Sequence, residues 1–191
     1  MKIGLFFGSF NPIHIGHMAI ANYMAEFTDL EQIWFVVTPH NPLKQKSGLL
    51  ADNHRLQLVK EAIGDSRKYK ASNIEFKLPQ PSYTVNSLAH LSEKYPQHKF
   101  VLIMGADNLQ TFHKWKNSEF ILEEYELYVY PRPESDGGSL KSHPRVKLVS
   151  APVMEISSTF LREAIKIKKD VRFFFPQGAY EYLKEMHFYE K

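Results

Sequence analysis

His14 and His17 stand three residues apart in the stretch GSFNPIHIGH, with Gly16 between them and Gly8 ahead of them. An imidazole donates a hydrogen bond to a phosphate oxygen and, when charged, offsets developing negative charge. Three-residue spacing puts both rings on one face if they share a helix. A glycine at a strand-to-helix junction lets the backbone approach a ligand without a Cβ in the way. A helix start adds N–H groups and the positive end of its dipole. An isolated His-x-x-His also suits a metal, but a metal needs a third ligand, and none is marked nearby. Phosphate handling is the chemistry that this frame suggests.

A second cluster lies in EISSTFLREAIK, from Glu155 to Lys166. Ser157, Ser158 and Thr159 are all good N-cap types. The acid of a capping box is missing, because Phe160 and Leu161 follow the two serines by three residues. That leaves helix N–H groups for an external anion. Arg162 follows Ser158 by one turn, and helical side chains lean toward the N-terminus, so its planar guanidinium would reach the same anion. Alone, this would be an ordinary helix start with a solvated arginine. Two such starts in one α/β chain carry more weight, because open sheets bind ligands at the carboxyl ends of their strands.

The elements that must hold these clusters follow from hydrophobic spacing. Strand-like runs recur at Lys2–Phe7, Gln32–Val37, Asn73–Phe76, Phe100–Met104, Glu126–Tyr130 and Val146–Val149. Helical spacing marks His17–Phe27, Asp52–Ile63 with Asp52 as N-cap, Thr84–Tyr95 and Pro176–Met186. Alternation of the two predicts a parallel sheet covered by helices on both faces. The loops Thr38–Gly48 and Pro131–Pro144 are rich in Pro and charge, the second reading as mobile. Neither separates two cores, so one domain over residues 1–191 is expected.

Composition narrows the classes. The 191 residues are 43% hydrophobic and 24% charged, which argues for a folded chain with a substantial core. There are no cysteines, which excludes disulfides, thiolate zinc sites and cysteine nucleophiles. A net charge of +3 does not demand nucleic acid. The apolar N-terminal run stops at Gly8-Ser9-Phe10, too short for a signal peptide, and no stretch approaches a membrane span. A cytoplasmic protein is expected.

With both clusters in place the chain resembles the nucleotidyltransferase superfamily and, within it, the bacterial nicotinate-nucleotide adenylyltransferases. GSFNPIHIGH and ISSTFLR match the superfamily motifs; PSYTVNSL at residues 81–88, GADNLQTFHKW at 105–115 and PHNPLKQK at 39–46 match family segments. The resemblance implies a Rossmann-like, doubly wound α/β fold and transfer of AMP from ATP to nicotinate mononucleotide, with Mg²⁺ as cofactor. It also implies no nucleic-acid or membrane partner, and leaves self-association open. By the same resemblance, His17, His14 and Arg162 would be catalytic. Gly8, Ser9, Phe10, Ser158 and Thr159 would join them around ATP. Lys44, Tyr83, Thr84, Asp107 and Trp115 would bind the mononucleotide, Trp115 by stacking on the pyridine. Taken without the family, Asp107 reads equally well as a helix cap, Trp115 as a core residue, and Lys44 as a solvated charge.

The letters HIGH also belong to class I aminoacyl-tRNA synthetases. No Lys-Met-Ser-Lys-Ser-type signature accompanies them here, and 191 residues leave no room for an anticodon-binding region. Phosphopantetheine adenylyltransferases and cytidylyltransferases share the first motif but do not explain GADNLQTFHKW. A non-catalytic nucleotide-binding regulator is disfavoured by the intact His14, His17 and Arg162.

Overall fold

In the computed structural model, residues 1–39 and 48–191 are described. Six strands form one parallel sheet: β1 (Lys2–Gly8), β2 (Gln32–Val37), β3 (Tyr69–Ser72), β4 (Lys99–Gly105), β5 (Glu126–Tyr130) and β6 (Val146–Leu148). Their order across the sheet is β3-β2-β1-β4-β5-β6. Seven helices are described: α1 (Ile15–Phe27), α2 (Asp52–Ile63), α3 (Thr84–Lys94), α4 (Ala106–Gln110), α5 (Ser118–Glu124), α6 (Ser158–Lys166) and α7 (Gln177–Glu185).

Strand alternation builds a core on each face of the sheet. Trp34 and Val36 pack with Ile3, Leu5, Leu102 and Met104 against Leu88 and Leu91 of α3. Their neighbours Ile33, Phe35 and Val37 point the other way and pack with Phe6 and Ile103 against α1, α2, α6 and α7. Both faces are therefore apolar, as a central parallel sheet requires. The chain order reverses at β1, which lies between β2 and β4, so the ends of these strands open a crevice at the switch point. Gly8 ends β1 opposite Val37 of β2, and Gly105 ends β4 opposite Tyr130 of β5.

Two local expectations are corrected. The third strand is Tyr69–Ser72 rather than Asn73–Phe76; residues Ile74–Lys77 form a 3-10 turn. Among the described residues β3 is an edge strand paired only with β2, so it needs no continuous apolar run, whereas Ile74 and Phe76 are apolar because they pack from the turn. Asp52 does not cap α2: Ala51 holds that position, and the Asp52 carboxylate instead accepts from the Arg55 guanidinium at 2.6 Å. The stretch from Pro131 to Pro144 contains structure of its own, an Arg132–Ser135 bridge and a 3-10 turn at Gly138–Ser142.

Candidate active site

Two adjoining cavities open along the carboxyl edge of the sheet, of about 390 and 410 Å³. Phe7, Gly8, Ser9, Asn108 and Tyr130 line both, so the end of β1 forms the wall between them. The first is walled by Thr38, Glu75, Ser82, Tyr83, Thr84 and Trp115. The second is walled by His14, His17, Arg132, Ser158, Thr159 and Arg162. One chamber thus presents an aromatic face and a helix start; the other presents two imidazoles, two guanidiniums and a second helix start.

The histidine pair is held by the start of α1. His14 is the N-cap and His17 the third helical residue, with ring centroids 3.8 Å apart. The His14 backbone N–H donates to His17 Nδ1 at 3.2 Å. An Nδ1 that accepts puts the proton of a neutral ring on Nε2. Gly16 explains itself sterically: a Cβ there would lie 3.0 Å from the His14 ring. Gly8 does the same for Phe10, whose ring would meet a Cβ at 2.9 Å. Phe10 itself takes a left-handed backbone (φ 44°) that turns the chain out of the strand.

His14 is only 4% exposed, and its Nδ1 is buried with no hydrogen-bond partner among the described residues. Burial first, and the nearby Arg132 charge second, push its pKa down to about 4. At neutral pH it is an uncharged donor, not the cation that the sequence allowed. Because the unfolded ring titrates near 6.5, the folded state binds fewer protons between pH 6.5 and 4. Stability should be complete above pH 6.5 and lost as the pH falls toward 4, by about 3 kcal/mol for a shift of this size. Urea unfolding of the parent and of His14→Asn at pH 7 and pH 4.5 checks this. The asparagine variant should lose markedly less over that interval, and equal losses would refute it.

The second cluster is placed as expected but is partly engaged. Ser157 is the N-cap of α6, and its hydroxyl accepts from the Phe160 N–H at 3.1 Å, so one of the helix N–H groups is already taken. The Ser158 hydroxyl donates to the Pro12 carbonyl at 2.9 Å. Arg162 donates to the Asn11 carbonyl at 2.8 Å and to the Thr159 hydroxyl at 3.3 Å. These bonds tie the start of α6 to the loop before α1, so the two clusters face one cavity as a unit.

On the other side, Tyr83 is the N-cap of α3 and Thr84 its first residue. Trp115 is half-buried against Phe112, with ring centroids 5.1 Å apart, and its indole N–H is buried without a partner among the described residues. Lys116 sits 4.5 Å over the Tyr83 ring at this chamber. Asp107 is the exception among the expected residues: it lines neither cavity and pairs with Arg132 at 3.6 Å. The helix cap there is Gly105, so Asp107 is not the cap either. Lys44 lies outside the described residues.

The cytidylyltransferase-like family model matches residues 5–164. A probable nicotinate-nucleotide adenylyltransferase of Flavobacterium johnsoniae is 59% identical over 193 residues, covering 100% of both chains. One of Christiangramia forsetii is 56% identical, covering 99% of this chain and 98% of the relative. The chain belongs to the nicotinate-nucleotide adenylyltransferase family. A solved Plasmodium falciparum nicotinic acid mononucleotide adenylyltransferase in complex with NaAD shares the fold, with a TM-score of 0.83 at 21% identity. That match covers 99% of this chain and 97% of the other.

Four cleft residues of this family member escaped the sequence reading. Arg132 lies in the loop read as mobile, though a basic residue just beyond a strand end is a usable signal. Asn108 sits inside GADNLQTFHKW, one residue after Asp107, and lines both chambers. Tyr130 closes β5 and lines both chambers; burial pushes its phenol up to about 12, so it stays neutral. Glu75 is 1% exposed, with the Ser87 hydroxyl donating to Oε1 and Oε2 making no full hydrogen bond among the described residues. Burial raises its pKa, opposed by the hydroxyls of Ser87, Thr38 and Ser82.

Proposed function

We propose that the chain, as a single nucleotidyltransferase domain, transfers AMP from ATP to nicotinate mononucleotide, releasing pyrophosphate. The single observation that carries this reading is the pair of adjoining chambers, one aromatic and one rich in phosphate donors, with Gly8 and Ser9 between them. A phosphate oxygen of the mononucleotide forms the new bond to the α-phosphorus of ATP, and the bond to the bridging oxygen of pyrophosphate breaks. The attacking group is already an anion, so the site needs positioned donors rather than a strong base.

In this reading His17 and Arg162 stabilise charge on the ATP phosphates during transfer, and neutral His14 adds a donor. Ser158 and Thr159 hold the phosphates at the start of α6, and Gly8, Ser9 and Phe10 shape the wall between the chambers. Trp115 stacks on the pyridine, and the N–H groups at Tyr83 and Thr84 receive its carboxylate. Lys44 is proposed to contact the mononucleotide phosphate. Asp107 acts through Arg132, its ion-pair partner.

Among the described residues no group of three or more His, Cys, Asp or Glu stands together to hold a metal ion. Mg²⁺ is therefore proposed to enter on the ATP phosphates, a mode it commonly uses, and no step here is routed through it. No helix among the described residues is long and apolar enough to cross a membrane. A cytoplasmic location is proposed with the reaction.

Pyrophosphate release from ATP and Mg²⁺ tests the reading with paired acid and amide mononucleotides. Turnover is expected with nicotinate mononucleotide, at least tenfold faster than with the amide, because backbone N–H groups suit a carboxylate. Turnover with phosphopantetheine and none with either pyridine nucleotide would overturn it.

A further inference from the structure

The C-terminal segment reaches Asn11, which lines the phosphate chamber. The Tyr189 hydroxyl donates to Asn11 Oδ1 at 2.7 Å, across 178 residues of sequence. Asn11 is 3% exposed and lies in the loop that carries the first histidine motif. Its side chain is held from three directions. Oδ1 also accepts from the Leu50 N–H at 3.1 Å, and Nδ2 donates to the Gly48 carbonyl at 2.9 Å. Its backbone carbonyl accepts from Arg162 at 2.8 Å. The adjacent Pro12 carbonyl accepts from Ser158. Asn11 is thus the point at which the C-terminal segment, the residues entering α2, and both phosphate-handling clusters meet.

The tail is shaped for this contact. Tyr189 takes a left-handed backbone (φ 64°), as does His187 (φ 52°). Non-glycine residues persist there only when surrounding contacts over-determine them. Phe188 supplies one such contact, its ring 4.9 Å from His54 and 5.7 Å from Tyr182. Glu190 supplies another, pairing with Lys184 at 2.7 Å and His187 at 3.0 Å. Burial raises the Tyr189 phenol pKa, while the charges of Arg162 and Arg55 pull it back.

We infer that Tyr189 is a positioning residue for the ATP side of the reaction: through Asn11 it fixes the carbonyl against which Arg162 is aimed. The inference rests on the proposed adenylyl transfer, and its main readout is independent of the pyridine substrate. Tyr189→Phe keeps the ring and removes only the hydroxyl. ATP affinity, measured with Mg²⁺ by titration calorimetry on the full chain, should weaken about 5- to 20-fold. KM for ATP should rise in step, while KM for the mononucleotide stays within about twofold of the parent. In an Arg162→Ala background the same substitution should change ATP affinity by less than about twofold, because its target is gone.

Unchanged ATP affinity in Tyr189→Phe overturns the inference. So does a full effect that persists without Arg162. A parent that binds ATP but transfers nothing would sink the proposed reaction, and the affinity comparison would still decide the role of Tyr189.

Discussion

Replacing His17 by Ala should lower kcat on the order of 10²- to 10³-fold, the usual loss for one donor aimed at charge that develops in the transition state. KM for the mononucleotide should change by no more than about threefold, because that ligand is assigned to the other chamber. His17 has a second task, since its Nδ1 accepts from the His14 N–H at the start of α1. Asparagine presents a polar group near the Nδ1 position but not near Nε2, so His17→Asn separates the two tasks. It should fold like the parent, judged by thermal unfolding, and lose as much kcat as the alanine variant. Steady-state kinetics on both variants decide the matter. Equal losses in kcat and in mononucleotide affinity would reassign His17 to binding alone.

The largest expected effect on stability comes from a residue outside the motifs. Arg55 is fully buried, and its guanidinium donates to the carbonyls of Ser9 at 2.6 Å, Thr38 at 2.8 Å and Leu50 at 3.0 Å. It also donates to the Asp52 carboxylate at 2.6 Å. One side chain therefore joins the exit of β1, the exit of β2 and the entry to α2. Arg55→Met fills much of the volume and strands these carbonyls, and a buried network broken on one side loses about 3–5 kcal/mol. For a chain of this size Tm should fall by roughly 10 °C or more, read by calorimetry. Arg55→Lys should fall between parent and methionine variant, because an ammonium lacks the fork that reaches several carbonyls at once. A drop in Tm below about 2 °C for the methionine variant would show that the clamp contributes little. Ser9 lines both chambers and Thr38 one, so loss of the clamp should also lower activity at temperatures where the variant is folded.

What could be read from the sequence was whatever acts through neighbours in the chain. Gly8, His14, Gly16 and His17 announce themselves because a strand end, a close approach and a helix start lie within ten residues. Ser158 and Arg162 do so because one helical turn relates them. The alternation of strand and helix likewise gave the parallel sheet. The misplaced third strand shows where this fails: Tyr69–Ser72 is a strand because β2 offers it an edge, and its own residues scarcely say so. Arg55, Arg132, Glu75 and Tyr189 fail in the same way. Arg55 meets Ser9 across 46 residues and Tyr189 meets Asn11 across 178, and no local pattern encodes such meetings. Asp107 shows the same limit from inside a matched motif, since its pairing with Arg132, 25 residues away, could not be read from the motif itself.

The wall shared by the two chambers has a consequence for the end of the reaction. In the proposed reaction, each substrate leaves its own chamber independently before transfer. Afterwards one covalent bond joins the occupants of both, so neither half diffuses away when its own contacts open. Each half is held near its chamber at the high effective concentration set by the other. Departure then requires both sets of contacts to be open together, which makes the dinucleotide slower to leave than either substrate. On that proposal the partition at Gly8 and Ser9, which lines both chambers, also slows the clearing of the site.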